Sequence, residues 1–252
     1  MIPETQLTKE KLIQLNLHNL TSLWQTASKK FDAYFEQEEF SFGYVKNSQW
    51  PNRIWSHQPL TLSLLKNIQQ VIQKHEETLV FSHFGQYSSI TDASITNQGF
   101  ELIANQYGMS MPLAQPFVHN TLLEFRKVYN PTEAKQWSDV FKACFGYTIS
   151  PETLQESWDQ IAYSLIWYQN EIVGTVILHI TEEVAGIHSL GILPKMRGKG
   201  FATQAMYLVL NQAIQTGATL ATLQASPMAK AMYEKIGFTQ QFVLQNYRLK
   251  DL

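Results

Sequence analysis

The chain has 252 residues, of which 44% are hydrophobic and 16% are charged. At roughly 150 residues per domain this length gives one large domain or two small ones, and the composition excludes a disordered chain. The 19 basic and 21 acidic side chains give a net charge of −2. We therefore expect neither a nucleic-acid partner nor an anionic membrane surface.

The single cysteine, Cys144, cannot form an internal disulfide, and the His and Cys residues show no zinc-ligand spacing. No stretch has the apolar length of a signal peptide or of a membrane-spanning helix. These features predict a cytoplasmic protein that needs no metal ion. They leave its oligomeric state open.

The amino-terminal half alternates less regularly than the rest of the chain. Its end predicts a helix over 60–74, a strand over 78–84, a short helix, the pair Gly99-Phe100 and a further strand-like stretch over 101–113. Aromatic residues are dense before this region and are expected to fill a core. The best boundary between two domains lies near residue 118, which gives domains 1–118 and 119–252.

The carboxyl-terminal half shows a regular alternation of strands and helices that is typical of a complete α/β domain. Proline at the first helical position and glycine after the last one supply the helix boundaries. The predicted strands are 122–130, 162–168, 172–180, 184–194, 219–226 and 242–249, and the predicted helices follow Pro131 and Ser150 and cover 202–216 and 227–236.

The ends of the two halves follow the same order: helix, strand, short helix, Gly-Phe, strand. From the start of the strand to the glycine the separation is 21 residues in the first half and 18 in the second. Two interpretations stay open: the first half is a degenerate copy of the second, or both share a common α/β order.

The most informative segment is RGKGFA, at the point where a strand runs through a turn into a helix. Its residues are Arg197, Gly198, Lys199, Gly200, Phe201 and Ala202. Backbone N–H groups and the positive end of the helix dipole meet at such a turn, and the glycines let a phosphate approach the backbone. The segment matches neither the P-loop nor the dinucleotide fingerprint. By itself it also fits a tight turn with solvated basic side chains.

This segment resembles the Arg/Gln-x-x-Gly-x-Gly/Ala signature of the GCN5-related N-acetyltransferase (GNAT) family. Two neighbouring stretches extend the resemblance over residues 121–250. Leu190-x-Ile192-x-Pro194 is similar to the fourth strand of that family. The later motif comprises Ala225-Ser226, Ala229, Met232-Tyr233-Glu234-Lys235 and Gly237-Phe238, and it is similar to the fifth strand and the helix after it.

The resemblance implies an α/β fold with a mixed, mostly antiparallel sheet flanked by helices, and acetyl-CoA as co-substrate. It implies that residues 197–202 bind the pyrophosphate, with a hydroxyl from Thr203, and that Leu190 and Ile192 pair with the pantetheine arm between two splayed strands. The Ile192 N–H would then polarise the thioester carbonyl. Ser226 stands where the family commonly has an Asn that contacts pantetheine.

The resemblance also suggests catalytic residues. Tyr233 matches the tyrosine that protonates the departing CoA thiolate, although a core aromatic is the alternative. His188 is the first candidate for the general base, because it shares strand parity with Leu190 and Ile192, although a structural histidine is the alternative. Glu182, Glu183 and His179 are weaker candidates, and Cys144 is expected to be a small core residue and not a nucleophile.

These observations predict an N-acetyltransferase that moves an acetyl group from acetyl-CoA directly to an amine of a small molecule or a peptide. The competing hypothesis is a non-catalytic CoA-binding regulatory or scaffold protein, and a third is an enzyme with a longer acyl or an aminoacyl donor. The first half has no glycine turn before its helix and should not bind CoA. We expect it to supply one wall of the acceptor cleft.

Overall fold

The computed structural model describes residues 7–75, 79–85, 92–118 and 122–250. Within these ranges the amino-terminal half forms a long first helix, three short strands and then a helix–strand–helix–strand unit. Its elements are α1 (Lys9–Lys29), β1 (Tyr34–Glu36), β2 (Phe40–Gly43), β3 (Arg53–Ser56), α2 (Leu62–Gln73), β4 (Val80–His83), α3 (Asp92–Asn97) and β5 (Phe100–Pro112).

The carboxyl-terminal half follows the predicted order closely. Its elements are β6 (Leu123–Lys127), α4 (Pro131–Phe145), α5 (Pro151–Ser157), β7 (Ala162–Tyr168), β8 (Glu171–Thr181), β9 (Val184–Ile192), α6 (Phe201–Gln215), β10 (Leu220–Ala225), α7 (Lys230–Ile236) and β11 (Thr239–Leu249). A short 3₁₀ turn, Pro194–Met196, connects β9 to the segment before α6.

Local signals explain why the helix boundaries of this half could be predicted. The Asn130 side chain accepts a hydrogen bond from the Glu133 N–H at 3.0 Å, and Pro131 occupies the first turn of α4. The Ser150 hydroxyl accepts from the Thr153 N–H at the start of α5. These caps satisfy amides that have no partner inside a helix, so the sequence marks each start locally.

The strands form one mixed, mostly antiparallel sheet in the order β1-β2-β3-β4-β11-β5-β10-β9-β8-β7-β6. The predicted fold class is therefore confirmed. The two halves exchange their last strands: β5 lies between β10 and β11, and β11 lies between β4 and β5. Each half thus completes the sheet of the other.

Both halves share the order helix, strand, short helix, strand in α2-β4-α3-β5 and α6-β10-α7-β11, as the sequence comparison predicted. In each unit the first strand also has a parallel neighbour, β3 for β4 and β9 for β10. Residue 78, where the first strand was predicted to start, lies outside the described residues. The common order fits a duplication, which stays a prediction.

The first helix was not predicted, and it ties the halves together across one face of the sheet. Leu20, Leu23 and Trp24 pack in a core cluster with residues of α4, α5 and β8. The buried Asn16 amide donates to the Met109 carbonyl at 2.9 Å, and the buried Asn19 amide donates to the His179 carbonyl at 3.0 Å. Helix α6 packs with the opposite core cluster, which contains Ile187 and Leu223.

The proposed division into 1–118 and 119–252 stays a prediction, and residue 119 lies outside the described residues. The sheet runs without interruption from one half to the other, so the division has no counterpart in the strand order. None of the helices in the described ranges is both long and apolar enough to span a bilayer.

The strand exchange predicts that residues 119–252 expressed alone do not fold stably. In this fragment β10 and β11 lack β5, which pairs with both of them. Two strand edges and the apolar residues under them would then face water. Circular dichroism during heating should show no cooperative transition for the fragment and a cooperative one for the full chain. A cooperative transition of the isolated fragment would show that the exchange is dispensable.

Candidate functional site

The turn between β9 and α6 has the backbone that its two glycines require. Gly198 and Gly200 have φ angles of 77° and 78°, in the left-handed region that L side chains rarely adopt. A Cβ atom would meet no atom within 4 Å at Gly198, and only the Gln204 Nε2 at 3.7 Å at Gly200. The glycines are therefore needed for backbone conformation, and the space in front of them is open.

Helix α6 begins at this open space. Gly200 is its N-cap, and in the part of the chain that the structure describes no side chain accepts a cap hydrogen bond from its first turn. Phe201 is buried and its ring lies 4.8 Å from the ring of Tyr168, which fixes the helix on the sheet. Ala202 and Thr203 are partly exposed. The first turn therefore offers backbone N–H groups and the positive end of the helix dipole to an anion.

Arg197 holds the turn in place. Its Nε donates to the Ile192 carbonyl at 3.1 Å and its Nη2 donates to the Cys144 carbonyl at 3.2 Å, so one guanidinium connects β9, the turn and the end of α4. Lys199 is exposed, and its Nζ lies 3.7 Å from the Met196 sulfur. Both cations lie just before the amino-terminal end of α6, and Arg197 also has a structural role.

Strands β9 and β10 separate in the middle of the sheet. They pair in parallel from Val184 and Leu220 to Gly186 and Thr222, and no further. Both strands continue beyond the last pair, β9 to Ile192 and β10 to Ala225. A wedge-shaped opening therefore lies between Ile187–Ile192 and Leu223–Ala225, as the predicted splay requires.

A β-bulge lies on the edge of this opening. Ile177 pairs with His188 and Thr175 pairs with Gly191, so one extra residue of β9 is accommodated near Ser189, whose φ is 51°. After the bulge the Leu193 N–H donates to the Val173 carbonyl at 2.8 Å. Because backbone groups alternate along a strand, the Ile192 N–H points away from β8 and towards the opening.

The opening leads into a cleft of about 1530 Å³ that both halves line. Leu190, Ser226 and Tyr233 contribute from the carboxyl-terminal half. Trp24, Trp50, Arg53 and Tyr147 line the cleft as well. Sequence reasoning did not single out any of these four as site residues. Trp24, Trp50 and Arg53 belong to the amino-terminal half, where no sequence motif marks them.

Tyr233 lies on α7 and is 8% exposed. Burial raises the pKa of its hydroxyl to about 12. Its ring packs edge-on against Phe238, with the ring centroids 5.9 Å apart. The side chain is thus fixed by the core, and its phenol is a neutral donor at physiological pH.

His188 lies in surroundings that differ from the prediction. The bulge breaks the strand alternation, so Ile192 joins the core cluster under α6, whereas the His188 Nε2 lies 3.1 Å from the Asn19 Oδ1 on α1. Burial, reinforced by His179 and opposed by a hydrogen bond with Gln224, lowers the pKa of His188 to about 3. The shared parity was wrong, and a neutral, weakly basic imidazole does not favour the role of general base.

The weaker candidates for the general base are not better placed than His188. Glu182 and Glu183 occupy the β8–β9 connection, six residues or about 20 Å along the strand from Ser189. His179 is buried with its Nε2 3.1 Å from the Ser22 hydroxyl, and burial lowers its pKa to about 4. Burial raises the pKa of the Cys144 thiol to about 11, so this thiol stays protonated.

Within the described ranges no group of three or more His, Cys, Asp or Glu side chains is placed to hold a metal ion.

Comparison with known proteins decides the family of the second half. Residues 130–238 match the profile of the "Acetyltransferase (GNAT) family". The carboxyl-terminal half is a GNAT domain. The matched segment contains the open turn, the separated strands and Tyr233. The protein is accordingly an acyltransferase, and GNAT proteins generally use acetyl-CoA.

Solved structures share the fold over nearly the whole chain. A GCN5-related N-acetyltransferase from Kribbella flavida is 14% identical, with a TM-score of 0.70 and 98% of each chain covered. One from Sphaerobacter thermophilus is 15% identical, with a TM-score of 0.59, covering 96% of this chain and 93% of that one. A GCN5-related N-acetyltransferase-like protein from Streptococcus suis is 9% identical, with a TM-score of 0.55, covering 96% and 100%. No curated protein matches the sequence.

The open turn predicts different effects for the same substitution at the two ends of α6. Gly200 and Gly217 have similar φ angles, 78° and 87°, and both face open space. Tryptophan at either position should cost about 1–2 kcal/mol in unfolding free energy, because both need a left-handed backbone. Only Gly200→Trp should abolish CoA binding in calorimetric titration. Unchanged affinity of this variant would exclude the turn as the phosphate site.

Because His188 is buried and neutral, we predict that it makes the stability of the fold depend on pH. We predict that it does not determine the acid limb of the pH–rate profile. An unfolded histidine binds a proton below about pH 6.5, whereas native His188 does so only near pH 3. The contribution of neutral His188 to the free energy of unfolding is therefore fully present above about pH 6.5, and it is lost as the pH falls towards 3. In His188→Gln, urea unfolding should show a weaker loss of stability between pH 7 and pH 5.

The control is His57→Gln, which removes an exposed histidine outside the cleft and so measures the effect of losing a histidine other than His188. The pH profile of kcat/KM should be the same in the wild type and in His188→Gln. A shifted acid limb in the variant would restore His188 as the general base.

Proposed function

We propose that the protein transfers the acetyl group of acetyl-CoA to an amine by direct attack in a ternary complex. The observation that supports this most is the unpaired opening between β9 and β10, which ends at the uncapped start of α6. An extended thiol-ester arm fits such an opening as a substitute strand, and its diphosphate fits the helix start. Acetyl-CoA supplies an activated acyl group, and the residues of this chain bind and orient it.

The diphosphate would be held by backbone N–H groups of residues 198–203, with the Thr203 hydroxyl and the Lys199 ammonium at the rim. The described positions fit an anion there, because Cβ atoms are missing where the backbone must be approached. Arg197 acts as a positioning residue through its bonds to Ile192 and Cys144. The pantetheine arm would run along Leu190 and Ile192, with Ser226 on the opposite side of the opening.

The Ile192 N–H has the orientation that is needed to stabilise negative charge on the thioester oxygen during attack. A main-chain donor held in a sheet needs little reorganisation when this charge develops, which is why such donors accelerate acyl transfer. The Arg197 guanidinium bonds the Ile192 carbonyl and so fixes the peptide that follows. In this proposal the acyl group lies at the bulge, where the cleft begins.

Tyr233 is proposed to donate a hydrogen bond to the sulfur as the thiolate leaves. Its pKa of about 12 exceeds the ordinary pKa of a thiol, about 8.5. Complete proton transfer from Tyr233 is therefore unfavourable, and a hydrogen bond is what this phenol supplies most readily. The acceptor amine would arrive through the cleft in its neutral form, because His188 does not offer a strong base. As the C–N bond forms and the C–S bond breaks, the proton that the nitrogen loses would pass to the departing thiolate, so that CoA leaves as the free thiol.

The proposal is tested by titrating the protein with acetyl-CoA and by measuring thiol release with a panel of amines. Binding together with amine-dependent release supports an acetyltransferase. Tight binding without release on any amine supports a non-catalytic CoA-binding protein. Faster thiol release from a longer acyl-CoA than from acetyl-CoA would show that the enzyme prefers the longer acyl donor. Absence of CoA binding would overturn the proposal.

Replacing Tyr233 tests the leaving-group role. Tyr233→Phe keeps the ring that packs against Phe238 and removes only the hydroxyl, so acetyl-CoA affinity should stay unchanged while kcat falls roughly 10- to 100-fold. Tyr168→Phe is the matched control, because Tyr168 lies on β7 and packs against Phe201, and it should leave kcat unchanged. Equal kcat in Tyr233→Phe and wild type would reduce Tyr233 to a packing residue.

A further inference from the structure

Arg53 lies in the cleft without an acidic partner among the described residues. Arg53, the first residue of β3, lines the cleft, and the hydrogen bond that its side chain makes with the described residues runs from Nη1 to the Asn52 carbonyl at 2.9 Å. Burial lowers the pKa of Arg53, and the nearby Tyr147 partly offsets this effect. A guanidinium has five N–H donors and keeps its charge in proteins, and the described residues accept a hydrogen bond from only one of the Arg53 nitrogens.

The other arginines of the chain are engaged differently. Arg126 and Arg248 lie 3.1 Å and 2.7 Å from the carboxylates of Glu124 and Glu101, and Arg197 donates to two carbonyls. Among the described residues no carboxylate lies within salt-bridge distance of Arg53. A partly buried charge without a counter-ion is costly, which points to a partner that arrives with the ligand.

The backbone around Arg53 is held in place. The buried Asn52 side chain accepts from the Val45 N–H at 2.8 Å and donates to the Ser48 carbonyl at 2.8 Å. The same segment docks on the catalytic half, because the Gln49 N–H donates to the Thr148 carbonyl at 3.0 Å and the Thr148 N–H donates to the Gln49 side chain at 2.8 Å. The amino-terminal half thus presents Arg53 from a fixed wall.

Several aromatic side chains line the same cleft as Arg53. Trp24 and Trp50 line the same cleft, and so does Tyr147 on the loop between α4 and α5. Burial raises the pKa of Tyr147, and the charge of Arg53 lowers it in part, so the phenol stays neutral and can donate a hydrogen bond. The cleft lining therefore combines the positive charge of Arg53 with a neutral hydrogen-bond donor and aromatic surface.

We infer that Arg53 binds a carboxylate of the acceptor, so that the acceptor is an amine that also bears a carboxylate group. This inference rests on the proposed acetyltransferase function and adds the substrate class. The planar guanidinium fork matches a carboxylate through two parallel hydrogen bonds. The cleft joins Arg53 to the opening at Leu190, so one molecule can place its carboxylate at Arg53 and its amine at the thioester.

The test compares amino acids with their carboxamides as acceptors at saturating acetyl-CoA, for example glycine, alanine, methionine and phenylalanine. The carboxamide keeps the amine and the side chain and removes only the negative charge. At least one acid should be acetylated with a kcat/KM 10-fold or more above that of its amide. Phosphoethanolamine tests whether a phosphate replaces the carboxylate.

Variants connect this preference to Arg53. Arg53→Met should raise KM for the preferred acid about 10- to 100-fold, as expected for loss of a charge-assisted hydrogen bond, and should leave its amide unaffected. Arg53→Lys should restore part of the affinity, because it keeps the charge and loses the fork. The matched control is Arg126→Met, because Arg126 is an exposed arginine on β6. This variant should leave KM unchanged for both the acid and its amide. Thermal unfolding verifies that each variant is folded.

Binding provides a test that does not depend on turnover. The CoA complex is titrated calorimetrically with the N-acetylated acids and with their N-acetylated amides. The acids should bind to the wild type and lose affinity in Arg53→Met. Equal behaviour of acids and amides, or a preference for phosphoethanolamine, overturns the carboxylate inference while leaving the acetyltransferase proposal intact. Failure to bind CoA at all overturns the proposed function itself.

Discussion

The parallel pairing of β9 and β10 ends after Gly186 and Thr222, and the candidate site depends on this interruption. Because two strands diverge there, backbone groups of Ile192 face an opening instead of a neighbouring strand. The bulge at Ser189 contributes to the divergence, and Gly191 permits it, since a Cβ there would collide with Cys144 and Phe145 of α4. Arg197 then fixes the end of the diverging strand to the turn.

After the separation of β9 and β10, the exchange of β5 and β11 is the feature of the fold that matters most for the candidate site. It makes the two halves one sheet, and α1 crosses that sheet so that Asn19 reaches both His179 and His188. The cleft therefore has walls from both halves that are held rigidly relative to each other. The amino-terminal half, which has no glycine turn of its own, therefore lines part of the cleft, whereas the open turn and the separated strands lie in the carboxyl-terminal half.

The elements of the GNAT domain could be predicted because their signals are local: a cap, a proline, a glycine or an alternation. The open turn and Tyr233 could be located for the same reason, through motifs of adjacent residues. Helix α1 was missed because its buried face contains Asn16 and Asn19, which weaken the apolar pattern although both are paired in the fold. The strands β1 to β3 have three or four residues each, too few to establish a period.

The sequence alone determined the domain class of the second half, the open turn before α6 and the order of strands and helices in that half, because these features arise from residues close together in the chain. The tertiary structure decided which strands exchange, on which face His188 lies and where Arg53 is presented. Each of these depends on contacts between residues far apart in sequence. An extra residue in β9 reverses a side chain, and burial against α1 changes its pKa, and neither effect leaves a local pattern to detect.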